Sequence, residues 1–100
     1  MNFLFTVMDR FQIEGRGCVL IPGLRCEKGH PNVLRGHRIR LTFPDGRKTD
    51  TIVQSIDPVR YREVPKVITV PITLPENITK DDVPVGTQVF LLEETFEVIR

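Results

Sequence analysis

The stretch His37-Arg38-Ile39-Arg40-Leu41-Thr42-Phe43-Pro44-Asp45-Gly46 decides the fold class. Side chains of an extended strand alternate between its two faces. Ile39, Leu41 and Phe43 therefore share one face, and Arg38, Arg40 and Thr42 share the other. Such a strand has one dry and one wet side. Pro44 sets φ and Gly46 takes the left-handed position, so Pro44-Asp45-Gly46 is a turn. Lys48 to Ile56 is then expected to return beside the first strand and complete a hairpin.

The same pattern extends in both directions. Phe3 to Met8 reads as a first strand, with Phe3, Phe5 and Val7 on one face and Leu4, Thr6 and Met8 on the other. Both faces are apolar, which predicts a buried strand. Phe11 and Ile13 continue the alternation up to Gly15-Arg16-Gly17, a tight turn or bulge. Cys18 to Ile21 is an apolar run that Pro22-Gly23 should stop, and 24–36 reads as loop. Val67 to Leu74 alternates again, with Ile68, Val70, Ile72 and Leu74 inward. Pro71 places that strand at an edge, or itself at a non-pairing position. The segment 81–86 is a turn, followed by a strand from Thr87 to Leu92. Phe96, Val98 and Ile99 form a short last one. Six or seven short strands predict an all-β chain closed into a small antiparallel barrel, which hides strand edges.

Composition agrees. Val, Ile and Thr account for 30 of the 100 residues and Ala is absent. β-branched side chains pack well on a pleated surface, and the best helix former is missing. The length predicts one domain, residues 1–100, with a core that needs no metal or disulfide. The net charge of +1 points to no class of partner. The N-terminus has no basic n-region and no long apolar core, and no apolar run approaches the ~20 residues that span a bilayer. A cytoplasmic protein with reduced thiols and no membrane partner is expected.

Catalytic patterns are not found. There is no GxxxxGK[ST] phosphate cradle, no Ser nucleophile elbow and no CxxC. GTP binding is not expected. Cys18, Cys26, His30 and His37 lack zinc-type paired spacing, Cys26-x₃-His30 being the one close pair. No metal, no cofactor and no catalytic residue is assigned, and Cys18 is expected in the core. Asp81-Asp82 is read as shaping a turn. The most basic segment is Arg35-Gly36-His37-Arg38-Ile39-Arg40, where Arg38 and Arg40 could meet phosphates from one wet face. No Phe interleaves with these arginines in sequence, as a stacking platform requires. A solvated, edge-protecting face is the preferred reading.

Three segments resemble the second domain of translational GTPases such as elongation factor Tu. Phe5-Thr6-Val7-Met8-Asp9-Arg10-Phe11-Gln12-Ile13-Glu14-Gly15-Arg16-Gly17-Cys18-Val19-Leu20 is similar to its opening, Asp-x-Phe-x-Ile-x-Gly-Arg-Gly. Thr51 to Asp57 resembles its middle strand, and Ile78 to Val89, with Asp82-Val83-Pro84-Val85-Gly86-Thr87, its closing turn. The resemblance implies a six-stranded antiparallel Greek-key barrel standing alone, without the GTP-binding domain. It further implies that Asp9, Phe11 and Arg16 match the entry loop and strand that line the family's aminoacyl pocket. Ile21 replaces a Thr of elongation factor Tu, and Arg62-Glu63-Val64-Pro65-Lys66-Val67 replaces a Gly-Asp/Glu-x-x-Gly stretch. Core packing is preferred for Phe11, and a turn bond or ion pair for Asp9 and Arg16.

The candidate surface is therefore Asp9, Phe11, Arg16, Arg38 and Arg40. The expected role is a non-catalytic binding module for a protein partner. RNA binding through the acceptor-end surface, or service as a structural subunit, is the alternative. If Arg16, Arg38 and Arg40 form one patch, RNA is favoured. If they scatter and apolar surface is exposed, a protein partner is favoured.

Overall fold

The computed structural model describes residues 2–57, 62–63 and 66–92. Eight strands lie among them: β1 Asn2–Thr6, β2 Asp9–Ile13, β3 Gly17–Arg25, β4 Arg38–Thr42, β5 Lys48–Ile52, β6 Ser55–Ile56, β7 Thr69–Thr73 and β8 Gln88–Leu91. A 3₁₀ turn, Lys80–Asp82, precedes β8. The expected last strand at Phe96, Val98 and Ile99 lies outside the described residues.

The strands form two antiparallel four-stranded sheets, in the orders β1-β8-β4-β5 and β2-β3-β7-β6. The chain is all-β. At two corners it passes directly from one sheet to the other. The Val7 N–H donates to the Thr87 carbonyl, next to β8, while the following Met8 N–H donates to Ile21 of β3. Likewise Val53 N–H donates to His37, next to β4, and Gln54 N–H donates to Thr73 of β7. Successive residues thus bond opposite sheets. β1 with β2, and β5 with β6, act as two bent strands, so six segments follow one another round a circuit. β7 inserts between β3 and β6, and β8 between β1 and β4, which are crossed connections of the Greek-key kind.

The core fills the space between the sheets. Leu20, Ile39, Leu41, Ile72, Leu74, Leu91 and Val89 are fully buried, as are the corner residues Val7 and Val53. Each such side chain contributes about 1.5–3 kcal/mol of burial. β4 behaves as its alternation requires: Ile39 and Leu41 face in and Arg38 faces out.

Several expectations are corrected. β1 does not keep a strict alternation. Its register against β8 shifts between Phe3 and Phe5, and this bulge turns both Leu4 and Phe5 into the core. Phe3 and Met8 are left exposed. The strand expected from Lys48 to Ile56 breaks at Val53, where the chain changes sheets. Pro22-Gly23 does not stop β3, which continues to Arg25. The β3–β7 register jumps from Leu20↔Ile72 to Leu24↔Val70, so Ile21, Pro22 and Gly23 bulge opposite Pro71 alone. Pro71 is therefore at a non-pairing position of an interior strand, which is how a proline survives there. Ile68 is exposed rather than inward, because β7 begins only at Thr69.

Candidate binding surface

Each residue of the expected surface has a definite place. Asp9 opens β2, is exposed, and accepts the Arg10 backbone N–H at 2.8 Å. Phe11 is not a core residue: it is 51% exposed. β2 is hydrogen-bonded only to β3 within its sheet, and its register pairs Phe11 with Val19 on the outward side, away from the buried Cys18 and Leu20. Arg16, in the turn after β2, pairs through Nη2 with Asp57 Oδ1 at 2.8 Å. The other oxygen of Asp57 accepts the Thr73 hydroxyl at 2.7 Å. Arg16 borders a polar hollow of about 400 Å³ shared with Arg35, Gln54, Ser55 and Glu76.

Arg38 and Arg40 stand elsewhere. They lie on β4 in the other sheet, with β8 between them and β1. Arg40 forks onto Asp50, with Nε to Oδ1 at 2.7 Å and Nη2 to Oδ2 at 3.0 Å. This hydrogen bonding holds the Asp50 carboxyl below the usual aspartate range, with a smaller contribution from the charge of Arg38. Asp9 and Phe11 on β2, with Arg16 in the turn after it, thus belong to one sheet, and Arg38 and Arg40 to the other.

The outward face of the β1-β8-β4-β5 sheet follows from its registers. Phe3 pairs with Phe90, Phe90 with Arg40, and Arg40 with Asp50. Directly opposed residues of an antiparallel ladder point to the same face. The four side chains therefore form one row across the sheet. The Phe3 and Phe90 rings meet edge-to-face, with centroids 5.5 Å apart and planes at 67°. The expectation that no Phe interleaves with the arginines is corrected. It holds along the chain but not across the sheet, where Phe90 is the immediate neighbour of Arg40. The sequence carried no local signal for this, since β8 reads Gln88-Val89-Phe90-Leu91 with apolar residues on both sides of Phe90.

A second feature is apolar. A groove of about 460 Å³ runs along β1 and the bulged half of β3. Phe3, Met8, Pro22 and Val67 line it, with Arg25 and His30 at its rim. Met8 is 70% exposed. Glu27 joins the rim, accepting Arg25 Nη2 at 3.0 Å and lying 3.4 Å from His30 Nε2. The bulge at Leu4 and the bulge at Ile21-Pro22-Gly23 create this groove: one turns Phe3 outward, the other displaces β3 beside it.

The sulfur and imidazole groups do not converge. Cys18 is buried in the core and Cys26 is exposed. His37 Nδ1 accepts the Leu34 N–H at 3.1 Å. Among the described residues no three His, Cys, Asp or Glu side chains are placed to hold a metal ion. Asp82 shapes a turn, as expected, by accepting the Thr79 N–H and hydroxyl at 2.9 and 3.0 Å. Among the described residues no helix is long and apolar enough to cross a membrane. Comparison with protein-family models, with curated proteins and with solved structures finds no match to this chain.

Proposed function

We propose that this chain is a non-catalytic, cytoplasmic binding module, resembling the second domain of translational GTPases, that holds an extended segment of a partner protein. The observation that carries this reading is the exposed groove of Phe3, Met8, Pro22 and Val67. Apolar patches rimmed by polar residues are where partners dock, and Phe3, Met8 and Val67 are all exposed here. The dispersal of Arg16 from Arg38 and Arg40 supports it too, since the acceptor-end surface of that family would need them together.

The groove's chemistry specifies the occupant. Its volume suits two or three apolar side chains, and its rim carries Arg25 and His30. An extended segment with apolar anchors beside an acidic residue fits, its carboxylate sharing Arg25 with Glu27. Peptide display against the folded chain tests this. Enriched peptides should carry that pattern, and Met8→Glu should weaken them about tenfold or more without moving the thermal melt. Peptides that bind Met8→Glu undiminished, or no enrichment, would overturn the reading.

A further inference from the structure

The groove lies between two strand edges that lack partner strands among the described residues. β1 is the outer strand of its sheet and is paired only with β8. On the other side of β8, the Leu92 N–H donates to the Arg38 carbonyl of β4. Main-chain groups alternate in direction along an antiparallel strand. Phe90 and Gln88 therefore turn theirs to β4, and Leu91 and Val89 turn theirs to β1. Phe3 and Thr6 oppose Phe90 and Gln88, so their N–H and carbonyl groups point away from β8, and both residues line the groove. The opposite wall is the bulged half of β3, whose pairing with β2 ends at Asp9↔Ile21. There the Cys26 N–H donates to Ile68, in line with Leu24↔Val70, so Arg25 turns its main-chain groups away from β7. The two edges part from the bond between the Met8 N–H and the Ile21 carbonyl. Charge surrounds the opening: segments 25–30 and 66–67, which supply lining residues, carry Arg25, Lys28 and Lys66 against Glu27.

We propose that the groove works by strand addition: an acidic, extended segment of a partner protein lies along the free edge of β1 and exchanges main-chain hydrogen bonds with Phe3 and Thr6. This rests on the groove being the binding site and adds how the partner is held. Unpaired N–H and C=O groups along an open edge are a template for a further strand. The main-chain bonds supply affinity, and alternate side chains are read by what lies beside the edge. Every second residue of the segment faces Met8, Pro22 and Val67, and acidic residues among the others meet the positive surplus of segments 25–30 and 66–67. The partner is thus a tail or loop with its own N–H groups to give. A helix does not serve, because its N–H groups are already bonded within it.

The probe is a capped octapeptide that alternates Leu, Phe and Val with Glu and Thr, together with versions methylated at a single backbone nitrogen. Fluorescence anisotropy with the full chain should show a period of two along the peptide. Methylation at alternate amides should weaken binding about tenfold, and at the intervening amides should leave it unchanged. In amide exchange followed by NMR, Phe3 and Thr6 should exchange faster than Phe5 and Val7 in the free chain and become protected when the peptide binds. Binding that Met8→Glu weakens but no single methylation does, with the Phe3 and Thr6 amides left unprotected, would overturn strand addition and leave the groove as the binding site. No saturable binding of the unmethylated peptide would overturn both.

Discussion

Gly23 lies with its backbone against the carbonyl of Val70. Its φ is +94°, and a Cβ there would collide with the Val70 carbonyl oxygen and come within 2.6 Å of the Pro71 Cα. Neither obstacle is a flexible side chain, so the strands would have to part. Gly23→Ala should cost about 2–4 kcal/mol. Gly46, in the hairpin turn, has a similar φ of +92° but open space around it. Gly46→Ala should cost only about 1–2 kcal/mol, the backbone term alone. Urea denaturation of both variants checks this; equal costs would show that the approach of β3 to β7 is not what constrains Gly23.

That contact also marks where the sequence became hard to read. The β4 strand was legible because Ile39 and Leu41 alternate with Arg38 and Arg40, and because Pro44-Asp45-Gly46 is a local turn. Pro22-Gly23 carries an equally local signal for a stop, yet β3 runs through it. The reason is nonlocal: Pro71, far along the chain, needs a partner strand that asks nothing of its missing N–H, and a bulge supplies one. The break at Val53 escapes for the same kind of reason, since an unbroken alternation cannot reveal that the chain turns from one sheet into the other. Candidate residues follow suit. Arg16 was readable as an ion-pair residue, whereas Asp9 stands in β2 rather than in a turn. The row from Phe3 to Asp50 depends on pairing residue 3 with residue 90, which no local pattern encodes.

Asp57 ties the turn after β2 to β7. Its carboxylate accepts the Arg16 guanidinium and the hydroxyl of Thr73, a residue only 1% exposed. The two bonds should differ in worth. Arg16 is largely solvated, so Arg16→Gln should cost less than about 1 kcal/mol. Thr73→Val removes one hydrogen bond while Asp57 keeps Arg16, at about 1 kcal/mol. Asp57→Ala strands a buried hydroxyl and should cost the most, about 1–3 kcal/mol. Thermal melts of the three variants should give that order, and a costlier Arg16→Gln would contradict it.

Acid sensitivity follows from three exposed aspartates. Asp45 is held below the usual range by the Arg47 N–H and then by its guanidinium, Asp50 by Arg40, and Asp82 by the N–H and hydroxyl of Thr79. A carboxyl depressed in the folded chain is protonated first in the unfolded one. The unfolded state then binds more protons, and folding weakens as pH falls. These contributions are complete above the ordinary aspartate value of 3.8 and are lost as pH drops below it through the depressed values. Urea midpoints should be flat from about pH 8 to about pH 5 and then decline. Asp82→Asn should lower the neutral midpoint and make the acid decline shallower. A decline beginning near pH 6 would show that groups other than these three aspartates set the acid response.

The two cysteines should separate by reactivity. Cys26 is exposed at the end of β3, whereas Cys18 is fully buried and pairs with Gln12 across the β2–β3 ladder. Burial raises the Cys18 thiol pKa, opposed more weakly by the charges of Arg10 and Lys80. Since the thiolate is the reactive form, both access and ionisation protect Cys18. A disulfide reagent should therefore titrate one thiol of the folded chain within seconds to minutes, and Cys26→Ser should remove that phase. The second thiol should react at a rate that rises with urea. If that rate climbs in parallel with global unfolding, Cys18 is reached only when the core opens. A second thiol that reacts fast in the folded chain, at a rate insensitive to urea, would instead show that β2 peels from β3 on its own.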